Sequence, residues 1–308
     1  MEKICSFQIK TEKLILMDDL FIKKVKIVLL ILISFIILVN KLKNINRLYF
    51  NYNNNFNGKI NNYIYNDLNF DKKLNYIKKL KKVVYTIILG GYDKVKSIIK
   101  ENGYDYFLIT DNNSIKKIKN INWTILDIPE KIKNLNISLV KKQRFIKLHP
   151  HLFFKKYDLS IYIDGTFIIK GNLDEFLLRI FSPNFYLYTF EHPTRNSIFK
   201  EIKACIMSKK EKKSMGQLIF KKYKQEKFPD NKGLIESCLL IRKHNEQECI
   251  NIMNNWYEEI KNYSHRDQLS FNYIYCKNNI KLKYITKKYA SKYFYQQNIH
   301  LIKTNYFR

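Results

Sequence analysis

Ser160-Ile161-Tyr162-Ile163-Asp164-Gly165 is the stretch on which the reading of this chain turns. Apolar β-formers run into an aspartate, and a glycine then lets the chain turn. A carboxylate at the C-terminal end of a buried strand stands where an open α/β sheet places ligand chemistry. Alone, such a triplet is most often a turn cap. Its surroundings give it weight. Arg144-Phe145-Ile146-Lys147-Leu148-His149-Pro150-His151 lies upstream with two cations and two imidazoles. Glu191-His192-Pro193-Thr194-Arg195 and Ser264-His265-Arg266-Asp267-Gln268 follow downstream.

Outward from that strand the chain alternates between extended and helical patterns. Residues 83–89 read as a continuous buried strand ended by Gly90-Gly91-Tyr92-Asp93. Residues 94–101 read as a short helix, 104–110 as a second strand ending at Asp111-Asn112, and 123–128 as a third. The helical pattern of 138–154 is interrupted by Pro150, and it sets Arg144, Lys147 and His151 on a face away from the apolar one. Past the central strand come a helix at 172–181, a strand at 185–190 and a long lysine-rich helical region at 197–226. A strand at 234–242 carries Glu236. The helix expected at 246–261 has Ile250, Met253 and Trp256 inward, and Asp267 and Gln268 open another at 269–277 before a last strand at 281–285. This order predicts a mostly parallel central sheet flanked by helices, an α/β fold. Neither a GxGxxG loop nor a Walker A loop is present.

Composition narrows the function classes. The chain has 308 residues, 46% apolar and 15% aromatic, enough for one large domain with appendages. Its formal charge of +29 favours anionic partners, but the excess is lysine spread along the whole chain, in company with asparagine, isoleucine and tyrosine. That bias matches an AT-rich coding sequence, so the charge supports a polyanion partner only weakly. The five cysteines show no metal-binding spacing and are expected as buried free thiols. Near the N-terminus, the unbroken apolar run 27–39 is too short for a bilayer until counted back to Phe21, with Lys23, Lys24 and Lys26 able to snorkel. It predicts a single signal anchor at 25–40, preceded by a polar tail (1–24) and followed by an Asn- and Lys-rich stem (41–80). The charge balance across the run leaves its orientation open.

The ordered landmarks resemble the glycosyltransferase-like family, long catalogued as an uncharacterised domain, that includes plant proteins of seed-mucilage synthesis and pollen-tube turgor control. The matching segments are Gly91-Tyr92-Asp93, Arg144-Phe145-Ile146-Lys147 with Pro150-His151, and Ile161-Tyr162-Ile163-Asp164-Gly165. His192-Pro193-Thr194-Arg195 with Glu201 follows, then Glu236 in the strand ending Ile241-Arg242-Lys243-His244-Asn245, and finally Arg266-Asp267-Gln268-Leu269-Ser270-Phe271. The resemblance implies a single GT-A-like nucleotide-sugar domain at 81–290, a C-terminal tail at 291–308, and a single-pass membrane layout with the catalytic domain after the anchor. GT-A enzymes commonly carry Asp-x-Asp at a metal, whereas here Asp164 is followed by Gly165 and Thr166.

Glycosyl transfer must stabilise a departing diphosphate and an oxocarbenium-like centre. The expected donor-binding set is Asp111, Arg144, Lys147, Asp164, Gly165, His192 and Arg266, with the arginines suited to bidentate phosphate contact. A divalent cation, Mn²⁺ first, is expected on Asp164 with His265 as co-ligand, or else metal dependence is weak. Asp267 and Gln268 are expected at the reacting face, and Glu236 as general base if the reaction inverts. Two have plainer readings: Asp267 as a helix-start residue beside Arg266, and Glu236 as a partner of Arg242 or a solvent-facing residue at a sheet edge. The expected function is membrane-anchored transfer of a sugar from a nucleotide-sugar donor to a glycan, protein or lipid, with no nucleic acid expected. Two alternatives compete with it, an inactive sugar- or nucleotide-binding module on the same fold, and a basic protein binding nucleic acid or anionic membrane.

Overall fold

The computed structural model describes residues 70–278 and 280–297. The tail, the anchor and most of the stem expected at the N-terminus lie outside the described residues. Among the described residues no helix is long and apolar enough to cross a membrane.

A seven-stranded sheet forms the centre. Its strands are β1 (Lys82–Ile88), β2 (Tyr104–Thr110), β3 (Thr124–Asp127), β4 (Leu159–Ile163), β6 (Leu187–Glu191), β7 (Ile235–Arg242) and β8 (Leu282–Ile285). Their spatial order is β3-β2-β1-β4-β7-β6-β8, and every neighbouring pair is parallel except those made by β7. All but β7 therefore run in one direction, the mostly parallel arrangement that the strand–helix alternation predicts. β1 is buried at all seven positions because it lies inside the sheet with both faces covered. Its Val83, Tyr85 and Ile87 enter one hydrophobic cluster and Val84 and Ile88 the other, the period-two alternation of a strand.

Helices cover both faces. On one lie α4 (Leu139–Leu148), α7 (Ile198–Met207), α8 (Lys213–Gln225), α9 (Gln247–Asn262) and α10 (Phe271–Lys277), which contribute Ile146, Ile202, Ile219, Trp256 and Phe271 to the first cluster. On the other, α1 (Phe70–Lys79) packs against α6 (Leu173–Ile180), and both feed the second cluster. Short helices α2 (Asn113–Lys116), α3 (Glu130–Lys133), α5 (Pro150–Phe153) and α11 (Lys287–Ala290) complete the chain, with β5 (Phe167–Ile169) and β9 (Phe294–Gln296) forming a separate two-stranded sheet.

Four departures from the sequence reading have physical causes. Residues 94–100 form no helix. Their carbonyls are taken instead by the side chains that follow: Trp123 Nε1 donates to Lys96 O at 2.8 Å and Asn122 Nδ2 to Ile98 O at 2.9 Å. The lysine-rich region is two helices, broken where Lys209 adopts φ 55. α1 begins inside the expected stem and buries Ile77 completely. Beyond residue 290 the chain continues as β9, pairing antiparallel with β5, and Phe294 is 4% exposed against Phe176 and Phe167.

Phe294→Ala should therefore lower the unfolding free energy by about 3 kcal/mol or more, the cost of emptying an aromatic site in a core. Urea denaturation followed by tryptophan fluorescence measures it; a change under about 0.5 kcal/mol would place residues after 290 outside the folded unit.

Candidate functional site

Parallel strands end together, so β1, β2 and β4 deliver their following residues to one edge of the sheet. After β1 come Gly90 and Gly91, with φ +62 and +66. A Cβ on Gly91 would also lie 2.8 Å from Asn112 Nδ2, so the turn needs glycine twice over. After β2, Asp111 Oδ1 accepts from Gly90 N at 2.8 Å, which ties these two loops together. After β4 comes Asp164. The reversed strand β7 brings its beginning to the same edge, and Asp164 N donates to Cys238 O at 2.9 Å.

The centre of this edge is a buried ion cluster. Asp267 Oδ2 accepts from Lys147 Nζ at 2.7 Å and Ser237 Oγ at 2.8 Å, with Arg144 Nε at 3.4 Å. Its Oδ1 accepts from Gln268 N at 3.1 Å. Lys147 Nζ also lies 3.2 Å from Ser237 Oγ and 3.8 Å from Asp164 Oδ1, above the ring of Tyr162. Tyr162 donates to Asp164 Oδ1 and accepts from Gln143 Nε2 at 2.9 Å; Gln143 in turn accepts from Arg144. The backbone of Lys147 is fixed as firmly, its carbonyl accepting from Tyr85 Oη and Arg242 Nη1, both at 2.8 Å. Behind the cluster, Trp256 Nε1 donates to Asp267 O at 3.0 Å.

Electrostatics follow from this packing. Burial alone would raise the Asp267 carboxyl, but Arg144, Lys147 and Arg266 together hold it well below the usual carboxylate range. Burial and the charge of Asp164 push the Tyr162 phenol far up, so it stays a neutral donor that orients the aspartate. The side chain of Asp267 is 5% exposed and that of Asp164 is 36%. Asp164 is therefore reachable from the surface, with Asp267 behind it as the counter-charge.

The expected residues divide into three groups. Arg144, Lys147, Asp164, Arg266, Asp267 and Gln268 gather around the cluster. His192 and Glu236 belong to a neighbouring one: His192 Nδ1 accepts from Arg195 N at 3.1 Å, Arg195 pairs with buried Glu201, and Glu236 Oε1 accepts from Lys287 Nζ at 2.6 Å. Glu236 thus pairs with Lys287, not with Arg242, which is wholly buried and faces Tyr85. Asp111 stands apart with Gly90. Gln268 bridges, its Nε2 donating to Ile235 O at 3.3 Å and its Oε1 accepting from Arg266 Nη2 at 3.2 Å.

His265 is joined to the cluster through Arg144, whose Nε donates to its carbonyl at 3.3 Å. His265 lies among Glu211, Arg144, Arg266 and Asp267, and burial draws its imidazole below the usual value. Among the described residues no three His, Cys, Asp or Glu side chains are grouped to hold a metal ion. A second carboxylate does reach this edge: a Cβ on Gly165 would lie 2.8 Å from Asp93 Oδ2, so Asp93 sits against the residue that follows Asp164. Spacing along the chain hides this neighbour, because Asp93 arrives from the β1 loop. Ser237 and Tyr162 are hidden likewise, each reading as an ordinary strand residue.

Asp267→Asn should destabilise the fold by about 3–5 kcal/mol at pH 7, since it leaves two cations in a buried site without their counter-charge. The carboxyl is depressed in the folded state, so its contribution is complete above the unfolded value of about 3.9 and is lost as pH falls towards the folded value. The gap between wild type and variant, read by urea denaturation, should accordingly narrow below about pH 4. A gap that does not change with pH would contradict the charge assignment.

The chain is similar to mouse xyloside xylosyltransferase 1 in its apo form (TM-score 0.43, 11% identity, 66% of this chain and 85% of that one). It is also similar to the WbbM bifunctional glycosyltransferase (TM-score 0.42, 13% identity), where the match covers 67% of this chain and 39% of that one. A glycosyltransferase involved in glycosylation of the major capsid of PBCV-1 gives TM-score 0.36 at 10% identity, over 71% of this chain and 94% of that one. No curated protein matches the sequence. Residues 66–300 match the TOD1/MUCI70 glycosyltransferase-like domain, and with most of its length inside that match the chain belongs to the TOD1/MUCI70 glycosyltransferase-like family.

Proposed function

We propose that this chain is a glycosyltransferase that takes a sugar from a nucleotide-sugar donor and passes it to a hydroxyl of a glycan, protein or lipid, with the donor bound over the C-terminal ends of β1, β2 and β4. The carrying observation is the convergence of Arg144 and Lys147 on buried Asp267 directly behind half-exposed Asp164. Cations held at fixed positions stabilise a leaving diphosphate without reorganising during the reaction. Arg144, partly exposed, offers a planar fork for phosphate oxygens, and Lys147, buried behind it, adds a fixed positive charge to the site. Arg266, which adds its charge to the same site, serves the same end. In this reading Asp267 positions the cations and does not touch the sugar, because its side chain is buried behind them. Gln268 holds Arg266 and the β7 backbone together.

A divalent cation fits the edge through Asp164 and Asp93. Hard cations need only one or two protein carboxylates when the remaining ligands come from substrate phosphate and water. When bound, such an ion supplies charge to the departing diphosphate. Asp164 is held for that task by the Tyr162 hydroxyl. On the other side of the edge, Asp111 and the two glycines after β1 form a backbone-lined approach for the base and ribose. The apolar run at 25–40 supports a membrane tether for the domain, on the sequence pattern alone.

Thermal unfolding in the presence of UDP-, GDP- and CDP-sugars, with and without Mn²⁺, tests this reading. Ligand at about 100 times its dissociation constant adds roughly 2.7 kcal/mol, a shift of several degrees. One donor series should raise the transition in wild type, and Asp164→Ala and Arg144→Gln should each abolish the rise. Absence of any shift would overturn the proposal, and a shift without release of nucleoside diphosphate in an acceptor screen would make the chain a sugar-nucleotide binder.

A further inference from the structure

The hairpin of α7 and α8 carries a face that the donor site does not use. Between positions 198 and 225 the sequence holds nine lysines and two carboxylates, Glu201 and Glu211. Both carboxylates are buried: Glu201 is taken by Arg195, and Glu211 by the hydroxyl of Ser264. The outer surface is therefore cationic without internal neutralisation. At the turn, Lys209, Lys210, Lys212 and Lys213 are all exposed. Among the described residues the hairpin's ion pairs are those of Glu201 and Lys222, and none involves a lysine of the turn.

Lysines alone would suit any polyanion. The apolar residues beside them narrow the partner. Met207, the last residue of α7, is 84% exposed, and Leu218 on α8 is 50% exposed. Aliphatic side chains gain nothing from a phosphate backbone, whereas they gain from the boundary between lipid headgroups and acyl chains. An unbranched methionine adapts readily to such a disordered medium.

The turn is also firmly built. Lys209 N donates to Ile206 O at 3.1 Å and Lys210 N to Cys205 O at 2.8 Å, which closes the end of α7. Ser264 Oγ, donating to Glu211, accepts from Arg266 N at 2.9 Å, so the turn is joined through hydrogen bonds to the loop that carries Asp267.

We propose that the α7–α8 turn docks on an anionic lipid bilayer, with Met207 entering the headgroup–acyl boundary and Lys209, Lys210, Lys212 and Lys213 facing the lipid anions. This contact is separate from any anchor at 25–40 and does not depend on the donor-site reading. Docking through the turn holds the Arg266–Asp267 loop near the membrane surface.

The test is co-sedimentation of the full chain with phosphatidylcholine vesicles, with and without phosphatidylserine. Any contribution of the 25–40 segment and its flanking lysines is common to every variant. Wild type should partition more strongly onto the anionic vesicles, and less so as salt rises. Lys→Glu at 209, 210, 212 and 213 together should lower that partition at least tenfold, since each lysine near an anionic leaflet is worth severalfold. Met207→Ser should weaken it severalfold with charge unchanged. Both variants should unfold at the wild-type temperature, because every altered side chain is exposed. Equal partition of wild type and the glutamate variant would overturn the proposal. So would loss in that variant with no effect of Met207→Ser and equal binding of single-stranded RNA, which would mark a general polyanion face.

Discussion

A single carboxylate holds the working edge of this protein together. Asp267 is buried, and burying an isolated charge is prohibitive. It is tolerated because Lys147, Arg144 and Ser237 surround Oδ2 while backbone N–H meets Oδ1. These partners come from α4, β7 and the short turn after α9, so one ion cluster fixes the relative placement of three elements. Such clusters stabilise little compared with well-packed apolar groups, but removing one member is costly. The gain lies elsewhere: cations that would wander on the surface are held still, at a place where a ligand can use them.

The same interaction explains how far the sequence could be read. The succession of strands and helices along the chain, the long amphipathic α9 and the Ile-Asp-Gly turn were legible because hydrophobic periodicity is a local signal. Arg144, Lys147 and Asp267 were recognisable as a set through family resemblance, although their mutual contact spans 120 positions. Sequence could not show that Asp267 would be enclosed, since a helix-start aspartate looks alike whether exposed or buried. Nor could it show Asp93 against Gly165, because that approach depends on two glycines after β1 turning the loop back. The helix expected at 94–101 failed for a related reason: Trp123 and Asn122 arrive from a distance and claim its carbonyls. The inward face of α9 was right in kind and shifted in detail, with Cys249 and Ile252 buried beside Met253 and Trp256 and Ile250 only half-buried.

Charge has two distinct uses in this molecule. Inside, cations are matched to Asp267 and aimed at one edge of the sheet. Outside, lysines of the α7–α8 hairpin stand beside exposed apolar side chains, while the hairpin's two carboxylates are withdrawn into the interior. A general lysine bias accounts for the number of lysines. It does not account for the burial of both acids or for an exposed methionine at the turn. Glu211, Ser264 and Arg266 join the two regions through hydrogen bonds.

The central claim is that Asp267 orients the cations that meet a diphosphate. Simple electrostatics makes the opposite forecast for its removal, because deleting a negative charge beside an anion site should tighten anion binding. Calorimetric titration of a nucleoside diphosphate into wild type and Asp267→Asn, at a temperature where both are folded, separates the two. Orientation by Asp267 requires the variant to bind at least tenfold more weakly, a loss of about 1.4 kcal/mol. Equal or tighter binding by the variant would show that Asp267 only neutralises charge, and the proposed site would lose its organising residue.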